Sequence, residues 1–173
     1  FDANNNPSVL YHATPKSFDE FIPGGANPEI SGPAIWLSPD KEWQPAAHNV
    51  GTPGAYREGT NVMPLYAKME KPFYFDTEIK NQLIQEMGLN PVFPLAINKE
   101  DISKLKKLGY DSVVMMPSEE DAARYGMSPE YVVFDPSQVK SAIGNTGAFS
   151  SKSKSITKAK GGKVSLKKLS KKY

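Results

Sequence analysis

The sequence predicts an α+β fold built mainly on antiparallel sheet, and three observations carry that expectation. Short apolar runs are punctuated by Pro and Gly, 15 and 13 of them in 173 residues, which marks short strands joined by loops. Strands outnumber helices, without the regular strand-helix alternation of a doubly wound fold. With 39% hydrophobic and 10% aromatic residues, the chain can bury the core of one globular domain.

The elements follow in order. "SVLYHAT" reads as a first strand carrying His12, and "PAIWLS" as a second. "DKEWQPAAHN" reads as a short helix that Pro45 keeps from being regular. "NVMPLYAKME" and "PFYFD" read as one long, broken strand whose Pro residues suggest an edge or a bend. "TEIKNQLIQEMG" predicts a helix capped by Thr77 and ended by Gly88, with Ile79, Leu83, Ile84 and Met87 along one face. "NKEDISKLKKLG" predicts another from Asn98 to Gly109, its stripe formed by Ile102, Leu105 and Leu108. "YDSVVMM" is a strand, "PSEEDAARYGMSP" an exposed loop and "EYVVFD" the last strand; no internal repeat is visible.

Composition narrows the function. The absence of Cys excludes disulfides, thiol nucleophiles and thiolate metal sites. Two histidines, His12 and His48, with no HExxH spacing, argue against a zinc centre, so no metal is expected. No apolar run approaches a membrane span, so no membrane insertion is expected. The start, "FDANNNPSVL", lacks a signal segment and an initiator Met, as expected of a chain that begins inside a longer polypeptide or after a cleavage.

The net charge of +2 hides a division: nine of the 21 Lys and Arg, and none of the 19 acidic residues, lie in 151–173, leaving 12 basic against 19 acidic groups in 1–150. The Ser-, Gly- and Lys-rich tail is expected to be flexible. It reads first as a solvated terminus. A weak nucleic-acid or anionic-surface contact through Lys152–Lys172 is the alternative, and would make binding salt dependent.

Three features stand on apolar strands far apart in sequence: His12 in "YHAT", Trp36 in "PAIWLSPD" and Glu130 in "EYVVFDPSQV". Singly, each has a structural account: a satisfied strand His, a core Trp, a solvated strand-end Glu. In this order they resemble the ADP-ribosyltransferase family, most closely the His-Tyr-Glu branch of poly(ADP-ribose) polymerase-like domains and related domains of phage and mobile-element polyproteins. That branch carries "(W/Y)HG(S/T)", "GIYF(A/S/T)D" and "EY(V/I)V(F/Y)D..Q(I/V)". "VMPLYAKMEKPFYFD", "KLGYDSVV" and "QVKSAIGNTGAF" extend the resemblance over residues 8 to 149. It implies two mostly antiparallel sheets forming a split core with a few flanking helices, a catalytic domain over 1–149 and a flexible tail over 150–173.

The resemblance also implies a chemistry, with NAD as substrate. Nicotinamide in NAD is already cationic, so its departure needs no general acid; the barrier lies in oxocarbenium character on the ribose. A carboxylate on the ribose 2′-hydroxyl binds more strongly as that charge develops, which is catalysis by differential binding, and the resemblance gives this role to Glu130. Trp36 takes the position of the Tyr whose face receives the nicotinamide ring. His12 is implied to hold ribose hydroxyls, the backbone of Ala13 the carboxamide, and Thr14 completes the motif.

The sequence departs from the family at Ala13 in place of Gly, at Trp36 in place of Tyr, and near Ala47 and His48, where a second Tyr is common; Tyr56 is farther on. His48 supplies the second stacking face or is a surface helix-end His. Arginine-modifying members carry Glu or Gln two residues before the catalytic Glu. Ser128 stands there, which disfavours Arg as acceptor. Asp135, Glu119 and Glu120 read as loop and strand-end solvation. The expected activity is mono-ADP-ribosyl transfer to a macromolecular acceptor, a protein first of all, by an enzyme of phage or mobile-element origin acting as a toxin or effector on a host component. An NAD glycohydrolase and a silent, virion-borne binding module are the alternatives.

Overall fold

The computed structural model describes residues 8–14, 18–22, 34–42, 61–76, 80–90, 97–143 and 153–157. The described strands form two sheets. In the first, β1 (Leu10–Thr14), β3 (Asn61–Ala67) and β7 (Val139–Ser141) run antiparallel in the order β1-β3-β7, with Leu10 across from Leu65 and Leu65 from Ser141. In the second the order is β2-β6-β5-β4, comprising β2 (Ile35–Leu37), β6 (Glu130–Val133), β5 (Ser112–Met116) and β4 (Pro72–Asp76). The β2–β6 and β6–β5 pairs are antiparallel, whereas β4–β5 is parallel. A parallel pair needs a crossover, and α1 (Lys80–Met87) and α2 (Lys99–Lys107) lie on it.

This is the α+β architecture expected, with two mostly antiparallel sheets. The "long broken strand" is a correction. Its halves, β3 and β4, belong to different sheets, and the turn between them leaves N–H groups that neither ladder can pair. The Asp111 carboxylate takes them instead, accepting from Glu70 N–H at 2.7 Å and Lys71 N–H at 3.1 Å. Nor is β3 an edge: it is the middle strand, and Pro64 is tolerated because its nitrogen faces the β7 side beyond the end of that ladder. The Pro64 carbonyl, on the same side, accepts from Ala142 N–H at 2.9 Å.

Alternation along the strands makes two cores. Val113 and Val132 of the four-stranded sheet pack with Phe73, Phe75, Ile84, Ile102 and Leu105 under the helices. Ile35, Leu37 and Val133 pack with Leu10, Leu65 and Val139 between the sheets. The α2 helix begins as its sequence predicts, with the Asn98 side chain accepting from Asp101 N–H at 2.9 Å and Asp101 accepting from Asn98 N–H at 3.1 Å. Asp101, 1% exposed, also accepts from Asn90 N–H at 2.8 Å. Leu108 corrects the predicted stripe: the helix stops at Lys107, and Leu108 caps it at 59% exposure.

A further correction concerns a segment read as a loop. "PSEEDAARYGMSP" contains a helix, α3 (Glu119–Tyr125), without a buried residue. Its caps define it: Ser118 accepts from Asp121 N–H at 3.0 Å, and Gly126 closes it at φ 63°. Glu119 and Glu120 therefore occupy a helical first turn, where carboxylates are favoured. The stretch 153–157 is packed, with Ile156 2% exposed in the core between the sheets. The helix expected around Pro45 and the cap at Thr77 lie outside the described residues.

Candidate functional site

Trp36 is the centre of β2 and Glu130 the first residue of β6. The antiparallel register sets Trp36 across from Val132 and Leu37 from Tyr131, and Glu130 stands two residues before Val132 on β6. Trp36, Glu130 and Val132 therefore share one face, and Trp36 and Glu130 are diagonal neighbours, their Cα atoms about 7–8 Å apart by sheet geometry. Trp36 is half-buried and packs its inner side on the helix-covered core. Glu130 is half-buried as well, across from Met115. The carboxylate is neither sealed in hydrocarbon nor fully in water.

The first sheet meets this pair through β1. Tyr11 and Ser38 exchange both main-chain bonds, Tyr11 N–H to Ser38 O at 2.7 Å and Ser38 N–H to Tyr11 O at 3.0 Å. That bridge is isolated, so the β1–β2 pairing ends there. Ala13 and Thr14 are both buried, at 7% exposure.

His12 takes a different direction. Its Nδ1 lies 2.9 Å from the Trp36 carbonyl oxygen, and because a carbonyl can only accept, Nδ1 carries the proton and Nε2 is the acceptor of the neutral ring. The imidazole stands edge-on to Phe21 at 4.9 Å and to Phe18 at 6.5 Å. Phe21 belongs to the core between the sheets, with Ile35 and Leu37, whereas Trp36 packs on the other core. The fold thus joins His12 to Trp36 through the Trp36 main chain. His48, with Ala47 and Tyr56, lies outside the described residues.

Ser128 is tied in place: the Ser38 hydroxyl donates to it at 3.4 Å and accepts from Asp40 N–H at 3.1 Å. Tyr131 follows Glu130 but faces the opposite side; burial, and then the neighbouring Tyr74, push its phenol above the ordinary value of 10.0.

Two residues of the third motif have roles that sequence reasoning missed. Gln138 accepts from Phe134 N–H at 3.1 Å and Asp135 N–H at 2.9 Å, and donates to the carbonyls of Lys68 and Asp111, both at 3.1 Å. It ties the end of β6 to the exit of β3 and the approach to β5. Asp135, read as strand-end solvation, is instead the N-cap of the 3-10 turn Pro136–Gln138, accepting from Ser137 N–H at 2.8 Å. Burial alone would raise its pKa, but the Ser137 hydrogen bonds and the charges of Lys106 and Lys154 hold it below the ordinary 3.8. "DPSQ", with Pro at the first turn position and the box-forming Gln last, was the available signal.

Among the described residues there is no group of three or more His, Cys, Asp or Glu that could hold a metal ion, and no helix is long and apolar enough to cross a membrane. Residues 2–149 match a family model described as ADP-ribosyltransferase in polyvalent proteins. No curated protein matches the chain.

Proposed function

This chain belongs to the ADP-ribosyltransferases of polyvalent proteins, and on that premise we propose that it cleaves the nicotinamide–ribose bond of NAD and transfers ADP-ribose to a macromolecular acceptor. The observation that carries this reading is the shared face of Trp36 and Glu130, one diagonal step apart on paired strands. A partly exposed indole offers a flat surface to a cationic ring. A carboxylate one diagonal away reaches the sugar attached to that ring.

Each residue then has a task. Glu130 accepts the hydrogen bond of the ribose 2′-hydroxyl, and that bond strengthens as C1 becomes electron-poor. Nicotinamide leaves with the bonding pair as a neutral ring, and the acceptor's nucleophile bonds to C1 and loses its proton. His12, protonated at Nδ1 by its bond to Trp36 O, presents Nε2 as acceptor to a ribose hydroxyl. The main chain of Ala13 serves the carboxamide, and Thr14 completes the motif. His48 is assigned the second face of the nicotinamide. The acceptor is a host protein, and a phage or mobile-element effector is the biological setting that the family suggests.

Labelled NAD, supplied with and without cell lysate to the wild type and Glu130→Gln, tests this. Label should pass to a macromolecule, and Glu130→Gln should slow the transfer by roughly 10²-fold, the usual effect of removing one preorganised electrostatic group. Equal labelling by Glu130→Gln would refute the assignment. A second reading, NAD hydrolysis, draws on Ser128, whose hydroxyl is held by Ser38 where arginine-modifying relatives place a Glu or Gln. It predicts nicotinamide release at full rate without any lysate.

A further inference from the structure

Segment 153–157 lies beyond the matched residues 2–149, yet it enters the packing around His12. Ile156, 2% exposed, shares a core with Leu10 of β1 and with Phe21. Its N–H donates to the Asp19 carbonyl at 2.8 Å, its carbonyl accepts from Ser141 N–H at 2.8 Å, and Ser155 bridges Glu20 antiparallel. One short segment thus couples the end of β7 to residues 18–22. Those residues carry Phe18 and Phe21, whose rings stand 4.7 Å apart, and Phe21 meets the imidazole at 4.9 Å.

Lys140 fastens the segment from β7. It is fully buried, and its ammonium donates to the carbonyls of Ser153 at 2.8 Å and Ser155 at 2.7 Å. Among the described residues no carboxylate pairs with it. Burial pushes its pKa below the ordinary value. Burying an ammonium without a counter-charge is unfavourable, and the compensation visible here is the pair of carbonyls it gathers.

We propose that residues 153–157, held by Lys140, form a clasp that positions His12. Ile156 and Lys140 are positioning residues: they keep Phe21 against the imidazole, so that Nδ1 stays on the Trp36 carbonyl and Nε2 keeps its direction. The consequence for NAD rests on the function proposed above; the consequence for the imidazole does not.

The test uses the full chain carrying Ile156→Ala, Ile156→Val or Lys140→Met. With only two histidines present, imidazole nitrogen NMR reads His12 directly. Ile156→Ala and Lys140→Met should shift the His12 signals and speed exchange of its Nδ1 proton, while Ile156→Val stays near the wild type. The KM for NAD should rise roughly 3- to 10-fold, the worth of one misaligned hydrogen bond, with kcat within about twofold. Unchanged His12 signals in both disruptive variants would overturn the clasp. Should Ile156→Ala not fold, Lys140→Met decides by the same criterion, since it keeps the hydrocarbon stem. If no variant, nor the wild type, turns over NAD, the proposed function fails while the imidazole signals still decide the clasp.

Discussion

Replacing Gln138 by Met asks whether this motif residue serves the fold rather than the chemistry. The change keeps the length of the side chain and removes four hydrogen bonds. Three are partly buried: those from Phe134 N–H and Asp135 N–H and that to Asp111 O. The fourth, to Lys68 O, is exposed and contributes little. At about 1 kcal/mol for each partly buried bond the loss is about 3 kcal/mol. For a chain of this size that is a fall in Tm of roughly 6–12 °C. Urea unfolding followed by circular dichroism measures it, with Lys68→Ala as control. The Lys68–Glu70 pair, 51% and 68% exposed, should be worth less than about 0.5 kcal/mol. A loss below about 1 kcal/mol for Gln138→Met would refute the reasoning. It would mean that water replaces these bonds and that β6, with Glu130 at its other end, is held by its ladder alone.

Trp36→Tyr should leave the KM for NAD within about threefold, while Trp36→Leu should raise it roughly 5- to 150-fold, since base–aromatic stacking is worth about 1–3 kcal/mol; steady-state kinetics on folded variants decides. Asp135 ionises in the folded chain below its ordinary 3.8. Its contribution to stability is therefore fully present above that value and disappears as pH falls through the lower folded value. Urea midpoints for the wild type and Asp135→Asn should accordingly converge at the acid end of about pH 2–5. Lys140 has the same sign on the alkaline side: its folded pKa lies below 10.5, so stability rises with pH between the two values, and Lys140→Met should abolish that rise. Gly109 closes α2 at φ 91°, and Gly109→Ala should cost about 1–2 kcal/mol in the same unfolding assay.

Much of this architecture is local, and local order is legible in a sequence. Asn98 followed three residues later by Asp101, with Gly109 at the far end, marks α2 because caps act within a few residues of themselves. The short apolar run Ile35, Trp36 and Leu37, bounded by Pro33 and Ser38, announces a strand. The motifs around His12, Trp36 and Glu130 carried the family resemblance, since their order along the chain is itself the signal. The α3 helix was missed because it has no apolar stripe, only caps.

The amino-acid order by itself determined the strands, the α2 helix with its caps, and the residue types that a nucleotide-cleaving site would require. It could not determine which faces those residues share. That Trp36 and Glu130 stand on one face follows from the β2–β6 register, a pairing across more than ninety residues that long-range hydrophobic contact selects. The same holds for the imidazole directed toward Phe21 and for Ile156 reaching back from a basic tail into the core. Only tertiary packing decided these, because burial depends on which distant surfaces meet, and composition within a short window carries no record of that.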